Sequence, residues 1–233
     1  MSNFVLVHGG MVGGWCWKKV RKYLEAKGHL VRTPTLTGLG ERKYLNCPDI
    51  DLDVHINDIV NVLQYEELEE VILVGHSYGG MVITGVADRT PQRIKQLIYI
   101  EALIPEDGES MFDIIDPSIS SYLLNRAKEE GEGYQVPPAP AQSYNFENPE
   151  DIKWIVSQST PHPLKSFQQK ITLKNSMKNF IRQYIKCTQD HFLDSMFIRA
   201  KNKGFICKQL DTGHFPMVTE PEMLSNLLVR DLL

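Results

Sequence analysis

The chain has 233 residues, of which 42% are hydrophobic and 23% are charged. This composition is ordinary for a globular protein and excludes an intrinsically disordered chain. The net charge is −4 and the basic residues are scattered, so we expect no nucleic acid partner. The four cysteines lack the paired spacing of a zinc site. The first apolar run is too short for a secretory signal and no later run approaches a membrane span, so we predict a cytoplasmic protein without membrane association.

Short β-rich runs alternate with longer helical segments, which predicts an α/β fold with a mostly parallel sheet flanked by helices. About six strands are expected, at residues 4–7, 30–33, 71–74, 97–100, 180–186 and 205–210. Helical patterns occupy residues 17–27, 53–66, 79–89 and 221–233. A single domain over residues 1–233 follows from this alternation.

The alternation stops after the fourth expected strand. Prolines are interspersed there with aromatic residues such as Phe146, Trp154 and Phe167. A segment of this length and aromatic content is where a lid over a site is built. We therefore predict a cap of residues 105–178 inserted into a core of residues 1–104 and 179–233.

The strongest chemical signal is residues 75–79, Gly-His-Ser-Tyr-Gly, between a buried strand and a predicted helix. A serine oxygen becomes a useful nucleophile when a tight turn holds it clear of the backbone beside a base. This context predicts a nucleophile elbow with Ser77 as the nucleophile. A glycine-rich turn that only binds a ligand is the alternative, but no G-x-G-x-x-G pattern supports it.

A second signal is His8-Gly9-Gly10, directly after the first expected strand. Backbone N–H groups fixed in a turn stabilise an oxyanion without reorganising. We predict that the N–H groups of Gly10 and Tyr78 form an oxyanion hole. His8 is interpreted as a hydrogen-bonded structural residue without a role in proton transfer.

The base must come from another loop, and His214 lies just past the last expected strand. Asp190 follows the penultimate strand, where an acid can orient the imidazole. The order serine, acid, histidine is the one that this kind of nucleophile elbow requires. Asp194 and Glu101 are the competing acids.

The other histidines receive no catalytic role. His76 adjoins the nucleophile, but its side chain is expected to point away from Ser77 and to pack. We expect the remaining ones to lie at the surface: His29, His55, His162 and His191.

Four stretches together resemble a known family. They are residues 5–9 with Gly14 and Trp15, residues 74–81, residues 184–190, and Gly213 with His214. They resemble the α/β-hydrolase branch that contains plant methyl esterases such as the salicylate-binding esterase, hydroxynitrile lyases and many bacterial esterases. The loop of residues 35–42 is similar to one in the bacterial members, which makes that subgroup the nearest. The resemblance covers nearly the whole chain except the cap, and it implies the α/β-hydrolase fold.

The same family includes lyases that cleave cyanohydrins and proteins that only bind small ligands. In those lyases a threonine follows the first-strand histidine and a lysine follows the catalytic histidine. Gly9 and Phe215 occupy these positions here. Because the lysine would meet departing cyanide, its absence favours hydrolysis. A complete set of Ser77, Asp190 and His214 makes an enzyme the preferred interpretation over a binding protein.

These observations predict a serine hydrolase that cleaves small-molecule carboxylic esters through an acyl-enzyme, with no metal and no cofactor. The aromatic cap suggests apolar or aromatic esters, although its rings could equally join the cap to the core. Candidate pocket residues are Gly9, Trp15, Trp154 and Phe215. The last helix either covers the sheet edge or forms a homodimer surface, and the sequence leaves both open.

Overall fold

The computed structural model describes residues 1–144, 146–175 and 180–230. The cap boundary expected at residues 178 and 179 lies outside the described residues. So do the final three residues of the C-terminal helix that the sequence extends to residue 233.

In the described ranges, eight strands form one large and one small sheet. They are β1 (Asn3–Val7), β2 (Leu30–Arg32), β3 (Val71–His76), β4 (Ile94–Ile100), β5 (Gln135–Val136), β6 (His162–Pro163), β7 (Ile181–Cys187) and β8 (Ile206–Leu210). The large sheet has six strands in the order β2-β1-β3-β4-β7-β8, and every neighbouring pair is parallel. Strands β5 and β6 pair with each other in antiparallel fashion. The predicted fold class is confirmed.

Ten α-helices accompany these strands in the described part of the chain. They are α1 (Lys18–Ala26), α2 (Leu52–Tyr65), α3 (Gly79–Arg89), α4 (Met111–Ile114), α5 (Pro117–Glu130), α6 (Pro149–Gln158), α7 (Leu164–Gln168), α8 (Asp194–Asn202), α9 (Pro216–Thr219) and α10 (Pro221–Val229). Short 3-10 helices occupy Gly14–Trp17, Gly40–Leu45, Pro91–Arg93 and Ala141–Ser143. No helix in these ranges is long and apolar enough to cross a membrane.

Strand β3 lies in the middle of the sheet, and all six of its residues are buried. Successive side chains of a strand point to opposite faces. Val71 and Leu73 accordingly join the cluster that includes α2 and α3, whereas Ile72 and Val74 join the cluster that includes α1 and α10. Burial on both faces explains why this strand is a continuous apolar run. Ser77 follows directly, so its backbone continues a strand that is packed on both faces.

The chain between β4 and β7 contains α4 to α7 and the small sheet. Its helices begin with polar caps: the side chains of Ser110, Asp116 and Asn148 accept hydrogen bonds from the first turns of α4, α5 and α6. Proline occupies the first position of both α5 and α6. This segment therefore contains more regular structure than the sequence-based description of a proline-rich cap suggested.

Candidate active site

Ser77 occupies the turn between β3 and α3, in a backbone conformation that non-glycine residues rarely adopt. Its φ is 52°. The Ser77 N–H lies 3.2 Å from the carbonyl oxygens of both Ile100 and Glu101, and its own carbonyl accepts from the N–H groups of Gly80 and Leu103 at 3.0 and 3.1 Å. These bonds to the end of β4 hold the turn in a strained conformation.

Glycine is required on both sides of this turn. A Cβ on Gly75 would lie 2.7 Å from the carbonyl oxygen of Gly79, and one on Gly79 would lie 2.8 Å from the carbonyl oxygens of Val7 and His8. Both contacts are too close for side chains, and both involve backbone atoms that cannot move aside. The two glycines therefore let the chain bend sharply enough to present the Ser77 side chain.

His214 lies four residues after β8 and faces Ser77. Its Nε2 is 3.0 Å from Ser77 Oγ, and its Nδ1 is 2.5 Å from Asp190 Oδ2. The second Asp190 oxygen accepts the N–H of Phe192 at 2.9 Å. Burial opposes ionisation of the Asp190 carboxyl, but the hydrogen bond and charge of His214 and the Phe192 N–H outweigh it and lower its pKa to about 2. A charged carboxylate thus orients the imidazole.

The two competing acids have other partners. Asp194 pairs with Lys186 at 2.8 Å and with His191 at 3.1 Å. Glu101 is fully buried, and its carboxylate accepts from Lys186 Nζ at 2.9 Å and from the N–H of Cys187 at 2.6 Å. Asp190 is therefore the carboxylate that contacts the His214 ring among the three that the sequence offers.

His76 packs beside the ring of His214. Its ring centroid is 4.8 Å from that of His214, and its Nε2 lies 2.7 Å from the His214 carbonyl oxygen. Because a carbonyl only accepts, Nε2 carries the proton. Burial lowers the pKa of His76 well below its usual value, so the ring stays neutral. His76 thus anchors the backbone of His214.

The turn after β1 lies opposite the elbow. Gly10 and Tyr78 both line the cavity beside Ser77, and none of the described hydrogen bonds uses their backbone N–H groups. His8 Nδ1 donates to the Gly9 carbonyl at 2.8 Å while His8 Nε2 accepts the N–H of Leu36 at 3.0 Å. Since the Gly9 carbonyl and the Gly10 N–H belong to one peptide plane and point in opposite directions, His8 helps to aim the Gly10 N–H. This is the structural role expected for His8.

Two histidines assigned to the surface are fully buried, so that expectation is wrong for His55 and His162. His55 Nε2 lies 2.9 Å from the Thr37 carbonyl and His55 Nδ1 lies 2.9 Å from the Tyr78 hydroxyl. Burial lowers the pKa of His55 to about 4. Its spacing in α2 could have revealed this position, because His55 is three residues after buried Leu52 and on the same helical face.

A cavity of about 360 Å³ opens beside Ser77. Its apolar wall comes mostly from the segment between β4 and β7 and from the loops after β7 and β8: Met111, Ile119, Leu123, Tyr144, Phe146, Phe167, Phe192 and Phe215. No lysine or arginine is among the described residues that line it. The sequence anticipated Phe215 and several cap rings, but Met111, Ile119, Leu123 and Phe192 carry no motif that marks them.

Three candidate pocket residues are absent from this wall in the part of the chain that the structure describes. The rings of Trp15 and Trp154 pack against each other edge to face, with centroids 5.2 Å apart, and so join the 3-10 helix Gly14–Trp17 to α6. Gly9 packs against Ser77 and His76, so that a Cβ here would be 3.0 Å from Ser77 Cβ and 2.8 Å from His76 Nδ1. The pocket assignment of Gly9, Trp15 and Trp154 is corrected accordingly.

Comparisons with known proteins agree with this architecture. The model of the alpha/beta hydrolase family matches residues 4–226. A carbendazim hydrolyzing esterase of Nocardioides sp. (strain SG-4G) is 34% identical over 240 residues, which cover 98% of each chain. Putative methylesterase 14, chloroplastic, of Arabidopsis thaliana is 28% identical, covering 98% of this chain and 71% of the relative.

Among solved structures, an extracellular alpha/beta-hydrolase from a Paenibacillus species has a TM-score of 0.88 at 24% identity, covering 99% of this chain and 98% of that one. A methylesterase from Arabidopsis has a TM-score of 0.81, also at 24% identity and with the same coverage. These likenesses show the fold. The chain therefore belongs to the alpha/beta hydrolase family. Within that family it is an esterase-type hydrolase.

Proposed function

We propose that this protein hydrolyses small apolar or aromatic carboxylic esters with Ser77 as nucleophile, His214 as base and Asp190 as the acid that orients the base. The observation that carries the proposal is the continuous hydrogen-bonded chain from Asp190 Oδ2 through His214 to Ser77 Oγ, at 2.5 and 3.0 Å. This series of hydrogen bonds ends beside an apolar cavity. Two backbone N–H groups, those of Gly10 and Tyr78, line the cavity, and none of the described hydrogen bonds uses them.

The mechanism follows from the proton positions. Since the ionised Asp190 only accepts, His214 Nδ1 carries a proton and Nε2 has a free lone pair. Nε2 takes the proton of Ser77 as Oγ attacks the ester carbonyl, and the N–H groups of Gly10 and Tyr78 stabilise the oxyanion. The tetrahedral intermediate collapses when His214 gives its proton to the departing alcohol. Water, activated by the same imidazole, then releases the acid from Ser77.

The charge and the side chains of the cavity wall indicate the substrate class. A cavity wall without lysine or arginine among its described residues offers no partner to a negatively charged acyl group, so neutral esters are favoured over anionic ones. Aromatic side chains such as Phe146, Phe167 and Phe215 provide apolar contact surface. The relatives' names, which include methylesterases, support esters of small alcohols.

Cyanohydrin cleavage is less well supported by this site. Departing cyanide is an anion and needs a nearby cation, but the residue after His214 is Phe215, with its ring centroid 5.2 Å from the imidazole. Asp190 adds negative charge to the same wall. The electrostatics therefore favour an alcohol as leaving group.

Replacement of the nucleophile tests the proposal. Ser77→Ala should lower turnover of p-nitrophenyl acetate by about 10³-fold or more, because a serine nucleophile has no substitute in this mechanism. Ser157→Ala, in the exposed part of α6, is the matched control and should retain activity. Unchanged turnover in Ser77→Ala would contradict the proposal. Serine-dependent release of cyanide from mandelonitrile without ester turnover would support the lyase, and tight ligand binding with background turnover would support a binding protein.

A further inference from the structure

Two hydrogen bonds of the Met11 backbone join the turn after β1, which includes Gly9 and Gly10, to the segment between β4 and β7. The Met11 N–H donates to His162 Nδ1 at 3.2 Å, and the Met11 carbonyl accepts the N–H of Thr160 at 2.9 Å. Met11 has a φ of 65°, a conformation that non-glycine residues rarely adopt without support. Both polar backbone groups of the residue after Gly10 thus depend on the same short stretch of chain.

The bonds of His162 define its tautomer. Its Nε2 lies 2.9 Å from Ser166 Oγ, and the Ser166 hydroxyl itself lies 2.8 Å from the Pro163 carbonyl oxygen. Because that carbonyl can only accept, the serine proton is used there, and His162 Nε2 must donate to Ser166. Nδ1 is left with a lone pair aimed at the Met11 N–H. The imidazole is therefore a neutral acceptor in a fixed orientation.

The same ring also contacts the other side of the oxyanion site. It stacks on Phe167 with centroids 4.0 Å apart and an interplanar angle of 11°, and it meets the Tyr78 ring edge to face at 4.9 Å. The Tyr78 hydroxyl is held in turn by His55 Nδ1 at 2.9 Å. One buried imidazole therefore touches the residue after Gly10 and the side chain of Tyr78.

His162 completes a pair of imidazoles that hold the turn from both ends. His8 fixes the peptide before Gly10 through the Gly9 carbonyl at 2.8 Å, and His162 fixes the peptide after it through the Met11 N–H at 3.2 Å. With both flanking peptides held, the Gly10 N–H has little freedom to rotate away from the cavity. Transition-state stabilisation by such a donor depends on its orientation being set before the reaction.

We propose that His162 is a positioning residue for the oxyanion hole, so that the segment between β4 and β7 contributes to the rate of reaction as well as to the walls of the cavity. This inference rests on the proposed ester hydrolysis at Ser77. A residue that merely filled the core would affect stability alone. A positioning residue should act on kcat, because the oxyanion exists only in the transition state and in the tetrahedral intermediates.

Two substitutions of similar size test the hydrogen bonds of His162 Nδ1 and Nε2 separately. His162→Asn places its Oδ1 where Nδ1 lies and can keep the acceptor for the Met11 N–H. His162→Gln reaches the position of Nε2 and loses that acceptor. We expect kcat for p-nitrophenyl acetate to fall about tenfold further in the Gln variant than in the Asn variant, a fraction of the effect of removing an oxyanion donor outright, with KM nearly unchanged. His162→Leu provides a second variant without an acceptor.

The affinity for an inhibitor is a measurement that a change in protein stability alone would not alter. A boronic acid forms a tetrahedral adduct with the serine oxygen, and its affinity should fall in the Gln and Leu variants by the same factor as kcat. Affinity for a neutral substrate-like amide should stay unchanged. Titration of reactive Ser77 counts the folded sites, so that kcat refers to folded enzyme. Ser157→Ala, at an exposed position of α6 in the same segment, is the control and should retain its kcat.

Equal kcat per reactive site in the Asn, Gln and Leu variants would overturn this inference. So would a loss of boronic-acid affinity that matches the loss of amide affinity. Either result, obtained with an active wild-type enzyme, leaves the proposed hydrolysis intact. An inactive wild-type enzyme with an unreactive Ser77 would instead remove the proposed function itself.

Discussion

Two carboxylates lie near His214, and their hydrogen bonds give them different tasks. Asp190 contacts the ring, whereas Glu101 is bound to Lys186 and to the N–H of Cys187 at the end of β7. Burial opposes the charge of Lys186, but its bonds to Asp194 and Glu101 outweigh this and raise its pKa. The buried pair of Glu101 and Lys186 therefore stabilises the end of β7, the strand that precedes Asp190.

Exchange of each carboxylate for its amide tests this division. Asp190→Asn should lower kcat by about 10³ to 10⁴-fold, because the amide favours the wrong tautomer of His214. Glu101→Gln keeps an oxygen acceptor for the Cys187 N–H but leaves Lys186 without its buried partner, so it should lower the melting temperature more than kcat. Steady-state kinetics with thermal unfolding measures both. A larger loss of kcat in Glu101→Gln than in Asp190→Asn would assign the acid to Glu101.

Gly9 and His76 are predicted to be coupled. A methyl group on Gly9 would lie 2.8 Å from His76 Nδ1 and 3.0 Å from Ser77 Cβ. We expect Gly9→Ala to lower the free energy of unfolding, and to do so less when His76 is also replaced by alanine. A double-mutant cycle in urea should give a coupling of about 1 kcal/mol or more. Additive effects of the two substitutions would show that the ring can move aside at no cost.

For individual residues, the sequence predicts those that belong to a motif. It does not predict residues whose role comes from a contact with a distant part of the chain. Ser77, Asp190 and His214 each follow a strand, and the carboxyl ends of parallel strands meet at one edge of the sheet, so their proximity could be expected from order alone. His162 lies far along the chain from the turn that it contacts. No local pattern announces such a contact, because it depends on how the segment between β4 and β7 folds back.

The elements of the sheet were more predictable than those of the segment between β4 and β7. Buried strands such as β3 are continuous apolar runs, and the expected strands agree with the observed ones to within a few residues. Helices α5 and α6 were missed because their prolines suggest irregular chain. Each proline lies at the first helical position, directly after the capping residues Asp116 and Asn148, where a missing N–H has no cost. Helix α8 was missed as well, since only two of its nine residues are buried.

The cap is predicted to control the size of the acceptable ester. Phe146 lines the cavity and packs against Phe215, with ring centroids 5.9 Å apart. Phe146→Ala should raise kcat/KM for a bulky acyl ester relative to the acetate by about tenfold, the scale on which pocket size acts. Phe112→Ala is the matched control, because this ring packs on Phe167 and is outside the described cavity wall. An equal shift in both variants would contradict this role of Phe146.

For the whole molecule, the main electrostatic feature is a set of four fully buried histidines. Burial lowers the pKa of His8 and His55 to about 4 and the pKa values of His76 and His162 well below the usual range. A histidine in the unfolded chain takes up a proton near about pH 6.5. As the pH falls from about 6.5 to 4, the unfolded chain therefore binds more protons than the folded one.

The free energy of unfolding should consequently be largest above about pH 6.5 and fall as the solution is acidified, by up to about 1.4 kcal/mol per pH unit for each such histidine. Chemical unfolding at a series of pH values measures this slope. His55→Gln should reduce this slope, because it removes one of the four buried imidazoles. Equal stability at about pH 7.5 and pH 5 would contradict the proposed neutral histidines.

The division into a core and a cap, the cytoplasmic location and a homodimer formed by the last helix stay predictions. The overall fold could be inferred from the sequence because alternating strands and helices leave few ways to bury both faces of a parallel sheet. Side-chain placement in the cavity could not, since residues such as Ile119 and Phe192 come from separate elements and meet only after the chain has folded.

Ser77 is expected to form a covalent acyl-enzyme during ester turnover. Rapid mixing with p-nitrophenyl acetate, acid quenching and mass spectrometry of the intact chain measures this intermediate directly. We predict a transient mass increase of one acetyl group, located by peptide mapping on Ser77, absent in Ser77→Ala and formed more slowly in Asp190→Asn. Ester turnover at the wild-type rate by Ser77→Ala, or an acetyl group carried by another residue during turnover, would contradict it.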